Sequence, residues 1–146
     1  VWVGCDASLV HRALVNVIRN AVEAMAEQAA GSAERKAERC ALSLRKELTI
    51  DVGMRSGEGR PPGENVPDMV ILSVRDTGPG VSPTVMERMF NPFFTTKPAG
   101  EGTGLGLSMT HDIIVKQHGG QIEVHTEPGS FTEFTIILPR TGPTQK

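Results

Sequence analysis

Several features that would indicate a partner or a location are missing from this sequence. The formal net charge is −2, and the basic residues form no stripe that could follow a nucleic-acid backbone, so neither DNA nor RNA is expected as a partner. No apolar run approaches the roughly 20 residues that cross a bilayer, and the first residues lack a charged segment followed by a long apolar one. We therefore expect a cytoplasmic domain, whose parent protein could still be anchored in a membrane.

Cysteine is scarce, and the sequence has no internal repeat. Cys5 and Cys40 stand far apart, without a Cys-x-x-Cys pair or a histidine cluster at metal-binding spacing. This favours reduced cysteines over a zinc site or a disulfide, although a disulfide stays open. A length of 146 residues predicts one domain, residues 1–146, with polar insertions at about 28–46 and 53–67 and a tail at 140–146.

Hydrophobic periodicity predicts seven elements. Helices are expected from Asp6, as N-cap, to about Ala30, from Ser82-Pro83 to near Asn91, and from about residue 103 to His118, with Gly119 as C-cap. Alternating apolar residues predict strands at 48–54, 70–74, 122–124 and 134–138. The order helix, strand, strand, helix, helix, strand, strand predicts an α+β fold: a two-layer sandwich with a mixed, mostly antiparallel sheet covered by helices on one face.

Two segments place polar groups where a ligand could bind. Asn16, Asn20 and Glu23 share one face of the first helix, where amide oxygens could hold a hydrated Mg²⁺; an ordinary polar helix face is the alternative. Asp76-Thr77-Gly78-Pro79-Gly80 directly follows a strand, so a fixed carboxylate could accept a hydrogen bond from an exocyclic amine. A simple tight turn is the alternative here.

Two further segments are typical of a nucleotide site. The alternating glycines of 100–107 open a helix, and their backbone N–H groups could bind a polyphosphate. They fit neither the Gly-x-Gly-x-x-Gly fingerprint nor a P-loop, because no Gly-Lys pair occurs. In the segment from Phe90 to Lys97, we expect the phenylalanines to pack into the core while Thr95, Thr96 and Lys97 reach the ligand.

In this order, the four segments resemble the GHKL superfamily of ATPases and kinases, and most closely the catalytic ATP-binding domain of two-component sensor histidine kinases. The resemblance runs from Asp6 to Pro139, apart from the two insertions. The segments are similar to the family's N box (Asn16 to Ala24), G1 box (Asp76 to Gly80), F box (Phe90 to Lys97) and G2 box (Gly102 to Leu107).

The resemblance implies a protein histidine kinase that uses ATP and Mg²⁺. It implies that Asn20 is the Mg²⁺ ligand, that Asn16 and Lys97 join it as catalytic residues, and that Asp76 binds the adenine amino group. The implied ATP-binding residues are Asn16, Asn20, Glu23, Asp76, Gly78, Gly80, Thr95, Thr96, Lys97, Gly102, Thr103, Gly104, Leu105, Gly106, Leu107 and Thr132. Where related ATPases carry a water-activating glutamate this chain has the amide of Asn16, which cannot act as a base and therefore favours phosphoryl transfer over hydrolysis.

The chain departs from the family pattern at three places. Glu23 stands where many members carry Lys or Arg, Phe131 replaces a glycine beside Thr132, and the insertion at 28–46 is longer than usual. With Glu23 acidic, phosphate neutralisation could fall to Lys97 or Arg19.

None of the four histidines resembles the family's phosphoacceptor. We expect the acceptor helices to precede Val1, so that the fragment is monomeric and the parent protein a homodimer. The implied partners are ATP, these dimerisation and phosphoacceptor helices, and the receiver domain of a response regulator. Two alternatives stay open: a serine kinase of the anti-sigma-factor type, and a module that binds ATP without transferring phosphate.

Overall fold

The sheet is built from four antiparallel strands. The computed structural model describes residues 4–30, 46–55 and 68–140. Its strands are β1 (Leu48–Arg55), β2 (Met69–Asp76), β3 (Gln121–Glu127) and β4 (Phe131–Pro139), in the spatial order β1-β2-β4-β3. The predicted α+β class and strand pairs are confirmed, with every pairing antiparallel. Most of the insertions predicted at 28–46 and 53–67, and most of the tail, lie outside the described residues.

The helices are α1 (Ala7–Ala30), α2 (Pro83–Met86) and α3 (Gly106–His111), and α3 continues as a π-helical segment, Asp112–Gln117. Asp6 caps α1 as predicted, because its carboxylate accepts hydrogen bonds from the backbone N–H groups of Ser8 and Leu9. Ser82 caps α2 in the same way, with Pro83 in the first turn. Gly119 has a φ of 63°, which confirms the predicted left-handed end of the long helical stretch.

Two predicted helix boundaries were wrong. The helix expected from residue 103 begins only at Gly106, because Gly104 has a φ of 66° and no helix can pass through that conformation. The helix expected to reach Asn91 is a single turn that ends at Met86, and irregular turns lead from there to Phe90. The loop that joins α2 to α3 is therefore longer than predicted at both of its ends.

The core lies between one face of the sheet and the helices. Residues of β4 are buried alternately, so that Thr132, Phe134, Ile136 and Leu138 face the helices, and the apolar stripe of α1 packs against the same face. Burying such side chains supplies the main stabilisation, at roughly 25 cal/mol per Å² of apolar surface. The polar face of α1 is thereby turned away from the sheet and toward α3.

Within the part of the chain that the structure describes, no helix combines the length and the apolar character needed to cross a membrane. Cys5 is a free thiol and partly buried, whereas Cys40 lies outside the described residues, so the state of the pair stays a prediction.

Candidate functional site

An open cleft of about 790 Å³ lies between α1, α3 and the loops that precede α2 and α3. Its size suits a nucleotide, since pockets for small molecules and cofactors occupy about 300–1,000 Å³. Every residue predicted to bind ATP lines this cleft except Gly78. Segments separated by more than one hundred positions in sequence are thus brought to one surface.

Asp76 lies at the floor of the cleft and is almost fully buried. Its Oδ1 accepts a hydrogen bond of 2.8 Å from the backbone N–H of Gly78, and an added Cβ at Gly78 would lie 2.5 Å from the same oxygen. The close approach and the hydrogen bond from Gly78 therefore fix the position of the Asp76 carboxylate. Burial raises the pKa of Asp76, and the hydrogen bond from Gly78 lowers it by less.

Thr132 lies beside Asp76, because the two residues are directly opposite each other in the β2–β4 ladder. The Thr126 hydroxyl donates to the carbonyl of Phe131, so in its 3.3 Å contact with Thr132 it is Thr132 that donates. The lone pairs of the Thr132 hydroxyl remain available to accept a hydrogen bond.

Phe131, which departs from the family pattern, does not intrude on the cleft. Its neighbour Thr132 points inward, so Phe131 points to the other face of the sheet, where the Arg75 guanidinium lies 3.9 Å from its ring centroid. The substitution at residue 131 therefore leaves Thr132 in the cleft.

The glycine-rich loop packs tightly against the F-box segment. An added Cβ at Gly104 would lie 2.4 Å from the carbonyl carbon of Phe93, so only glycine fits. Phe93 itself has a φ of 64° and is 76% exposed, which contradicts the expectation that all phenylalanines of this segment pack into the core. Phe90 does pack against the core, and Phe94 lines the cleft.

Asn16 connects α1 to the beginning of α3. Its Nδ2 donates to the carbonyl of Gly106 at 3.2 Å and lies 3.5 Å from the hydroxyl of Thr110, while its Oδ1 accepts from the Arg19 guanidinium at 3.1 Å. The side chain is buried. Both ends of this amide therefore form hydrogen bonds with protein groups.

Asn20 is placed differently, one turn further along α1. Its side chain lines the cleft, and among the described residues no group forms a hydrogen bond with it. An amide oxygen facing a cleft fits a hydrated Mg²⁺, which needs few protein ligands when phosphates supply the others. The described residues contain no cluster of three or more His, Cys, Asp or Glu side chains that could hold a metal by itself.

Lys97 forms an ion pair with Glu23 of α1 across the cleft. The backbone N–H of Lys97 donates to the hydroxyl of Thr95 at 3.1 Å, which shapes the loop that carries them. The two charged residues singled out from the sequence are therefore each other's partner across the cleft.

Several lining residues were missed. Arg12 and Glu27 extend the polar face of α1 by a turn at each end and could have been found from helical spacing. Others give no sequence signal of their own, because they are apolar residues that also belong to the core: Met89 and Phe134.

None of the four histidines lines the cleft. His11 lies on α1, His111 on α3 and His125 on β3, and the buried His118 joins two elements through hydrogen bonds.

Comparison with known proteins gives a consistent result. Residues 5–142 match the model of the family described as histidine kinase-, DNA gyrase B- and HSP90-like ATPase. The chain is 55% identical over 73 residues to the sensor kinase CckA of Brucella abortus, a match that covers 50% of this chain and 8% of that protein. It is 37% identical over 101 residues to the sensor histidine kinase ZraS of Klebsiella oxytoca, covering 68% of this chain and 19% of the relative. The chain thus spans less than a fifth of the length of these relatives.

Solved structures agree on the fold. The catalytic domain of the histidine kinase ThkA, in a nucleotide-free form, superposes with a TM-score of 0.62 at 28% identity, covering 95% of this chain and 72% of that one. The mycobacterial sensor histidine kinase MprB superposes with a TM-score of 0.60 at 23% identity, covering 97% and 78%.

Proposed function

We propose a specific reaction for this chain on the premise that it belongs to the family of histidine kinase-, DNA gyrase B- and HSP90-like ATPases. Within that family it is the ATP-binding catalytic domain of a two-component sensor histidine kinase. The proposed reaction transfers the γ-phosphoryl group of ATP to a histidine on a separate dimerisation and phosphoacceptor domain. A receiver domain of a response regulator then takes the phosphate.

The adenine would bind at the floor of the cleft. Asp76 supports this, because its Oδ2 receives no hydrogen bond from any described residue and can accept one from the exocyclic amine. The hydroxyl of Thr132 beside it can accept a second hydrogen bond from the ligand. Buried polar atoms that lack a partner are costly, so a ligand donor at this point would be recognised with high selectivity.

The phosphates would lie along the glycine-rich loop and the face of α1. The backbone of residues 102–107 and the side chains of Thr95, Thr96 and Lys97 line the cleft there. Asn20 would hold Mg²⁺, which when bound would supply positive charge to neutralise the phosphate oxygens. The protein's own task is positioning, since phosphoryl transfer needs little covalent chemistry from this domain.

The amide of Asn16 is the observation that carries the choice of kinase over ATPase. Its nitrogen donates to Gly106 and its oxygen accepts from Arg19, so it neither has the chemistry of a base nor is free to orient a water. This favours transfer to a nucleophile supplied by another domain over hydrolysis of ATP.

The test is transfer of label from γ-labelled ATP to the phosphoacceptor domain of the parent protein, supplied as a separate chain. We expect a Mg²⁺-dependent product that is labile in acid, as a phosphohistidine is. Asn20→Ala should abolish transfer and weaken Mg²⁺-dependent ATP binding, whereas Lys116→Met, on the exposed side of the π-helical segment, should do neither. An acid-stable product would indicate a serine kinase, and ATP binding without transfer would indicate a nucleotide-binding module; either result refutes histidine transfer.

A further inference from the structure

The ion pair between Glu23 and Lys97 connects the two sides of the cleft at the end where phosphates are proposed to bind. Glu23 belongs to α1, one turn beyond Asn20, and Lys97 belongs to the loop that leads to the glycine-rich segment. Their side chains are 38% and 27% exposed, so both are partly removed from water. The pair spans 74 positions of sequence and joins this loop to α1.

Lys97 is held at three points along its length. Its backbone N–H donates to the hydroxyl of Thr95, and its ammonium group pairs with Glu23. Between these ends its stem lies on Gly102, where an added Cβ would be 3.2 Å from Lys97 Cδ and 2.7 Å from Thr95 Oγ1. The absence of a side chain at Gly102 therefore lets the lysine lie across the cleft.

The cleft contains few positive charges, so the ammonium group of Lys97 would contribute strongly to binding a polyphosphate. The residues that line it carry more carboxylates than cations: Asp76, Glu23, Glu27 and Glu101 against Arg12, Arg19 and Lys97. Arg19 already donates to Asn16, and the charge of Lys97 is neutralised by Glu23. An incoming triphosphate must take the ammonium group away from Glu23 before it gains from that charge.

We propose that Glu23 is a positioning residue that holds Lys97 across the nucleotide-free cleft and competes with the ATP phosphates for its ammonium group. This deepens the proposed function and rests on it for the identity of the ligand. Glu23 thereby lowers the resting affinity for ATP while it keeps the loop ordered for nucleotide entry.

The test combines calorimetry with hydrogen exchange on the unmutated chain, Glu23→Gln, Lys97→Met and the double variant. Glu23→Gln should tighten ATP binding and leave adenosine binding unchanged. If Glu23→Gln acted only by removing a negative charge, it would raise the affinity for ATP by the same factor with Lys or with Met at position 97. Competition predicts a gain about two- to fivefold larger with Lys97 present, the range expected for a partly exposed ion pair.

Hydrogen exchange of the nucleotide-free proteins tests the contact itself. Amides of residues 95–104 should exchange faster in each single variant, and no faster in the double variant than in either single one. Lys116→Met, which breaks the exposed Lys116–Asp112 pair outside the cleft, is the control and should leave these amides unchanged. Equal gains in ATP affinity with Lys or Met at position 97, or unchanged exchange in the single variants, would overturn the proposal. Absence of ATP binding in all four proteins would refute the proposed function and the competition together, whereas the exchange data would still decide whether Glu23 holds Lys97.

Discussion

At the scale of single residues, Asp76 shows most directly how stability and binding oppose each other. Its carboxylate is buried with one hydrogen bond from Gly78, and burial raises its pKa above the ordinary value of 3.8. A buried acid with a raised pKa favours folding only while it is protonated. That contribution is lost as the pH rises from the ordinary value through the raised pKa, so above the ordinary value this buried group costs stability relative to an uncharged side chain.

Asp76→Asn should therefore melt at a higher temperature than the unmutated chain at neutral pH, and the difference should shrink as the pH falls. The same variant should lose at least about tenfold in ATP affinity, because a hydrogen bond to a charged group contributes about 1.5–3 kcal/mol. Thermal melts between pH 4 and 8 and calorimetry measure the two effects. Asp112→Asn, at a partly exposed position on the π-helical segment, is the control. A lower melting temperature for Asp76→Asn at every pH would show that the carboxylate stabilises the fold.

At the scale of elements, His118 joins the beginning of α1 to the π-helical segment. Its Nε2 accepts from the backbone N–H of Asp6 at 3.0 Å, which requires the proton to be on Nδ1, and Nδ1 donates to the carbonyl of Ile113 at 2.6 Å. Asp6 in turn caps α1. One buried ring thus satisfies a donor and an acceptor at the ends of two elements.

Replacing His118 should destabilise the contact between the beginning of α1 and the π-helical segment. His118→Ala leaves the N–H of Asp6 without its partner and removes the hydrogen bond from the ring to the carbonyl of Ile113, so we expect a loss of about 1–3 kcal/mol in the free energy of unfolding. His125→Ala, at an exposed position on β3, should change it by less than about 0.5 kcal/mol. Urea denaturation measures both, and equal losses in the two variants would exclude a linking role for His118.

At the scale of the whole molecule, the helices cover only part of the sheet. Val52 and Met54 of β1 lie on the same face as their buried or partly buried partners in β2, yet they are 70% and 46% exposed. Among the described residues no helix extends over β1. The buried core therefore centres on β2 and β4, where Val74 is 1% exposed.

The same substitution, valine to alanine, made separately in β2 and in β1 tests where the buried core lies. Val74→Ala should lower the free energy of unfolding by about 2 kcal/mol or more, from two lost methyl groups and the cavity they leave. Val52→Ala, on the same face but exposed, should lower it by less than about 0.5 kcal/mol. The comparison uses urea denaturation. A large loss at Val52 would mean that β1 is covered in solution.

Local features were predictable from the sequence because short-range forces determine them. The Asp6 cap depends on N–H groups two and three residues away, and the turn at Gly119 depends on the absence of a side chain. Strand alternation and the face shared by Asn16, Asn20 and Glu23 follow from the periods of strand and helix. These periods, together with the four motifs in their order, determined the fold class, and each of the four motifs contributes residues to the cleft.

The tertiary structure alone decided which of these groups meet. The sequence placed Lys97 and Glu23 in the same site but did not pair them, and it placed Phe93 in the core, whereas the structure leaves its side chain 76% exposed. Met89 and Phe134 carry no signal that separates a cleft wall from a core. Such contacts join residues far apart in the chain, and they depend on how α1, α3 and the loops pack against the sheet, which no local period encodes.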